Sequence, residues 1–114
     1  MSVSSKALSE DDRSSITDLI NRHGHLVDTG QFERLHEILT DDVAYDVTDL
    51  GGGVLVGPGA LHEAALALGD GNPVGHHVTN IVLRAESQNV IQAHSKGIGI
   101  MADGTVASVT YSLA

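Results

Sequence analysis

GNPVGHHVTNIVL, from Gly71 to Leu83, is where a Gly/Pro loop runs into a β-strand, with His76 and His77 at the strand's first positions. Side chains alternate faces along a strand, so the two histidines point to opposite sides of the sheet. One therefore faces whatever the sheet encloses, and imidazole is the side chain that titrates nearest neutrality. Downstream, His76–Arg84 and Asn89–Ala102 read as strands joined by a short polar turn. Asp103-Gly104 is a tight-hairpin signal that leads to a third strand, Thr105–Ser112.

Upstream of the loop the pattern is helical. Gly57-Pro58 opens a helix that runs to about Leu68, with proline in its favoured first turn, and Gly69–Gly75 connects it to the strand. Near the N-terminus, Ser9 followed by Glu10-Asp11-Asp12 is a helix start, negative charge standing at the positive end of the helix dipole. Ile16, Ile20, His23 and Val27 continue it as one apolar face, and Gly30 is its natural C-terminal cap. A second helix is expected over Gln31–Leu39, then a strand over Val43–Thr48 with Val43, Tyr45 and Val47 on one face, then a Gly51-Gly52-Gly53 turn. Three helices and one or two early strands ahead of an antiparallel meander predict an α+β fold, with helices packed on one face of a curved sheet.

The totals narrow the function. A chain of 114 residues is one domain, and no linker or internal repeat divides it. No apolar run approaches the roughly 18 residues of a membrane span, and MSVSSKALSEDD contains no apolar signal segment, so a cytoplasmic protein away from membranes is expected. There is no cysteine, hence no disulfide and no thiolate nucleophile or ligand. Fifteen acidic residues against six Lys and Arg leave a net charge of −9, which repels phosphate backbones and argues against nucleic acid. No G-x-S-x-G is present. The loop Gly69–Gly75 lacks the lysine and the strand-to-helix context of a phosphate loop. Seven histidines raise the question of a metal. His23 and His25 lie roughly 200° apart around a helix, and His76 and His77 face opposite ways, so neither pair chelates one ion. No metal and no other cofactor is expected.

Asp28-Thr29-Gly30-Gln31-Phe32, Leu39-Thr40-Asp41-Asp42-Val43, Gly57 before the third helix, and His77-Val78-Thr79-Asn80 occur in an order and spacing that span nearly the whole chain. Together they resemble the SnoaL-like branch of the nuclear-transport-factor-2-like superfamily. The resemblance implies a cone: a strongly bent antiparallel sheet that wraps a long N-terminal helix and leaves a deep apolar pocket. Relatives include scytalone dehydratase, ketosteroid isomerase, bile-acid 7α-dehydratase and polyketide cyclases, alongside non-catalytic binding domains. Family members usually add a strand beyond the Asp-Gly hairpin, whereas this sequence stops at Ser112-Leu113-Ala114.

The family's dehydratases use a pocket Asp after the first helix and a His at the start of the strand following the third helix. Asp28 and His77 match those positions, and His23 stands where the bile-acid dehydratase pattern has a tyrosine. On this reading His77 is the general base and acid, Asp28 its orienter, and His23 a third catalytic group. Tyr45, His94 and Met101 would contact substrate, and His76 and Asn80 would lie on the other face, toward solvent or a second copy. The residues alone also allow a plainer account. Asp28 could cap the helix end, His77 and His23 could be hydrogen-bonded core histidines, and Tyr45 could be core packing. The expected function is a cofactor-independent lyase or isomerase acting on a hydrophobic ring-containing molecule, in a homodimer. The alternative is a non-catalytic ligand-binding or dimerisation module of the same fold.

Overall fold

Ser9 starts the first helix, α1 (Glu10–Asp28), by accepting a hydrogen bond from the Asp12 amide at 3.1 Å, with three acids in the first turn. Its end is a Schellman motif. Gly30, at φ +72°, donates to the Val27 carbonyl, and Gln31 donates to that of Leu26. The computed structural model describes residues 8–47 and 53–113, so Thr48 of the expected strand and Gly51 and Gly52 of the expected turn lie outside the described residues.

The expected second helix is shorter and tighter than its periodicity suggests. Phe32–Glu37 forms a 3₁₀ segment, in which the Arg34 amide donates to the Gln31 carbonyl three residues back. Only nine residues separate Gly30 from Thr40, and the six that wind do so as the tighter 3₁₀ form, which suits a short connector. The segment still contributes the most deeply buried side chain described, Leu35.

The early strand is a pair. β1 (Ala44–Asp46) lies antiparallel to β2 (Val54–Val56), with Tyr45 opposite Leu55. The helix α2 (Pro58–Leu68) then begins on proline as expected, and Asn72 holds its far end by donating to the Ala65 and Gly69 carbonyls at 2.6 and 2.9 Å. The meander follows: β3 (Gly75–Ala85), β4 (Ile91–Ile100) and β5 (Val106–Leu113), in spatial order β3-β4-β5 and antiparallel throughout. No helix of the described residues is long and apolar enough to cross a membrane.

One irregularity in this sheet positions the site. Between the pairs Thr79↔Lys96 and Val82↔His94, β3 spends two residues where β4 spends one. That is a β-bulge, and Asn80 carries it in the left-handed region at φ +57°. The bulge reverses the alternation. Before it His76 and Val78 are the more buried positions; after it Ile81 and Leu83 are. The inner face continues across β4 as Ala93, Ser95 and Gly97, all buried. A β-carbon on Gly97 would collide with the ring of Tyr111, so the bare strand there makes room for a half-buried tyrosine. Helix α1 packs on this inner face against β3.

Candidate functional site

Asp28 is the last residue of α1, and His76 is the second of β3. The helix end therefore delivers a carboxylate to the start of the strand. The His76 amide donates to Asp28 Oδ2 at 2.9 Å, and His76 Nδ1 lies 2.5 Å from Asp28 Oδ1. Both carboxylate oxygens are thus engaged by one residue. A hydrogen on Nδ1 completes the contact, which leaves Nε2 as the ring's free lone pair. No other described residue hydrogen-bonds that nitrogen. Each of the two side chains is 22% exposed, enough for a small molecule to reach.

The expectation that His77 meets Asp28 is corrected here: the pair is formed by its neighbour. His77 is exposed on the outer face, opposite Ile98, and its ring lies back beside Gly75. The resemblance implies an inward His77, but the bulge at Asn80 shifts the parity by one, and the face that Ile81 and Leu83 hold after it is held by His76 before it. His76, expected at the outer face, is the residue that this reading missed. The half-buried Val78 is the local signal for it, being the apolar residue that shares its parity.

His23 lies on the same helix, five residues before Asp28, and is largely buried. Its Nε2 is 3.3 Å from the Tyr45 hydroxyl, and the two rings stack at 5.9 Å between centroids with planes 13° apart. Burial holds the His23 pKa below its ordinary value, nearby His76 adds to that, and Asp28 opposes it. Burial, assisted by Tyr111, pushes the Tyr45 hydroxyl up to about 12. At neutral pH the contact is therefore between a neutral imidazole and a protonated phenol, and the imidazole tautomer decides which of the two donates. His23 faces inward, as its place on the apolar face of the helix predicts, and meets Tyr45 there; neither lines the groove beside Asp28.

A groove of about 440 Å³ opens beside the pair, between the end of α1, the 3₁₀ segment and the far end of α2. Val27, Phe32, Leu66, Val74 and Ala102 make its wall largely apolar, with the Asp28 carboxylate on one side. A wider depression of about 600 Å³ is lined only by residues of α1 itself, such as Glu10, Arg13 and Asp18; it is that helix's exposed polar surface rather than a cavity. Of the other expected contacts, Met101 sits in the turn after β4, where its amide donates to Thr105, and its neighbour Ala102 reaches the groove. His94 is exposed on the outer face opposite Val82 and Ser112 and is not part of this assembly. Phe32 stacks face to face on His62 at 4.6 Å and walls the groove, a role that only the folded chain reveals. Among the described residues, no three His, Asp or Glu side chains gather as a metal would require.

Comparison with known proteins agrees with this fold. The family model described as SnoaL-like domain matches residues 9–112. A Novosphingobium aromaticivorans structure described as a "putative aromatic ring hydroxylase" superposes with a TM-score of 0.72 at 22% identity, over 93% of this chain and 80% of that one. Aln2 from a Streptomyces species gives 0.68 at 20% identity, over 92% and 77%. A Catenulispora acidiphila protein gives 0.68 at 20%, over 88% and 75%. At such identities the likeness speaks for the fold. No curated protein matches the chain.

Proposed function

This chain belongs to the SnoaL-like domain family, and we propose that it is a cofactor-independent acid–base lyase or isomerase acting on a hydrophobic, ring-containing small molecule. The observation that carries this reading is the two-point hold of Asp28 on His76 at the edge of an apolar groove. His76 Nε2 takes a proton from the carbon next to a substrate carbonyl, and the electron pair moves onto the carbonyl oxygen. Asp28 keeps the ring in the productive tautomer and faces the imidazolium that forms. The proton then returns to a different carbon, giving isomerisation, or leaves with a β-hydroxyl as water, giving dehydration. With His23 in its Nε2–H tautomer donating to the Tyr45 oxygen, the Tyr45 hydroxyl keeps its own proton to polarise the substrate oxygen. The protein works as a cytoplasmic homodimer, joined through the outer face of its sheet.

The test begins with a panel of hydrophobic cyclic ketones and β-hydroxy ketones in deuterated water, followed by NMR for exchange at the α-carbon. For whichever compound exchanges, His76→Ala and Asp28→Asn each lower kcat at least about 100-fold with the fold intact, and His77→Ala leaves it near normal. Undiminished exchange by His76→Ala overturns the assignment. The full engagement of both Asp28 oxygens within the protein also suits the non-catalytic binding module. Saturable binding of a panel compound, with no exchange for any of them, would favour that reading.

A further inference from the structure

We propose that Gly24 is a positioning residue for the Asp28–His76 pair, its bare α-carbon letting α1 approach β3 closely enough for the carboxylate to reach both the amide and the ring of His76. Gly24 is buried in the interior of α1, where glycine is the poorest helix former after proline. A β-carbon there would meet the His76 carbonyl oxygen at 3.1 Å, the His76 β-carbon at 3.3 Å and the His76 carbonyl carbon at 3.8 Å. All three contacts are to the backbone and stem of one residue, and none is the movable end of a side chain. His76 cannot step aside, because it is paired with Gly99 of β4.

Asp28 lies four residues beyond Gly24, one turn further along the same helix face. The residue that abuts His76 and the residue that holds it are therefore stacked on one stripe. A methyl group at position 24 separates helix and strand by a few tenths of an ångström, and the contacts of 2.5 and 2.9 Å at Asp28 have no slack to absorb that. Gly59 of α2 is the natural contrast, since a β-carbon on it meets nothing within 4 Å.

The significance of Gly24 for catalysis rests on the function proposed above, but the geometric claim is tested without any substrate. Nitrogen–proton correlation spectra of the His76 ring report its tautomer, and hydrogen exchange reports the His76 amide. In Gly24→Ala, helix content by circular dichroism stays that of the parent, the His76 amide exchanges at least about tenfold faster, and the ring loses its fixed Nδ1–H form. Asp28→Asn gives the same spectral change, whereas Gly59→Ala gives none. If Gly24→Ala leaves tautomer and exchange unchanged, the proposal is wrong. Failure of Gly24→Ala to fold also overturns it, because glycine would then be a packing requirement of the whole domain. A parent protein inert toward every ketone, with His76 still responding to Gly24→Ala, sinks the catalytic reading and leaves the positioning role standing.

Discussion

His23 is held neutral by its surroundings, and this has a consequence for stability. Burial lowers its folded-state pKa below the 6.5 of a free imidazole. Between those two values the unfolded chain binds a proton that the folded chain does not, so stability rises with pH across that window. The contribution is complete above about pH 6.5 and is lost as the pH falls toward the folded value. Thermal unfolding followed between about pH 7.5 and 5 accordingly shows a falling midpoint below about pH 6.5. His23→Gln, which has no proton to gain, flattens that segment of the curve relative to the parent. An identical pH dependence in the variant would mean that other groups carry it. The Tyr45 hydroxyl, at about 12, stays protonated throughout this range and contributes nothing to the slope.

At the scale of elements, local chemistry is what the sequence makes readable. Ser9 at the head of α1, Gly30 at its end, Pro58 at the start of α2 and Asp103-Gly104 in the last hairpin each act through neighbours a few residues away. Those boundaries fall where the residues predict. What escapes a linear reading depends on partners distant in the chain. The shift of parity at Asn80 exists only relative to β4, and it decides which of two adjacent histidines meets Asp28. The groove needs α2, the 3₁₀ segment and the end of α1 brought together, so Phe32, Leu66 and Val74 carry no mark of it beforehand. Because Asn80 sits at φ +57°, a β-branched residue there is strained by roughly 1–2 kcal/mol, whereas glycine adopts that conformation freely. In urea titrations Asn80→Val therefore loses about that much stability, and Asn80→Gly loses far less. Equal losses in both would place the cost in the asparagine side chain and not in the bulge.

The whole molecule is elongated for its length, with principal extents of 47 × 29 × 24 Å. Its radius of gyration is 15.1 Å, against about 13 Å for a typical domain of this size. Only Leu26, Leu35 and Ala93 count as buried apolar residues among those described. A small apolar patch lies at one end of the otherwise polar outer sheet face, where Ile98 and Ile100 of β4 are half-buried and Val106, paired with Ile100, is 64% exposed. His77 stands opposite Ile98 at the edge of this patch, in the outward role first expected of His76. A second copy laid on that face would bury the patch in both chains at once, which an isologous contact requires. Folding and association are then linked, and the thermal midpoint depends on protein concentration. The expected outcome is a midpoint that climbs over roughly a hundredfold range of concentration, with a sedimenting mass twice that of the chain. Val106→Asp, which places a charge in the patch, returns the mass to that of one chain and removes the concentration dependence. A parent protein that sediments as a single chain, with a midpoint independent of concentration, would show that the domain is stable with this face bare.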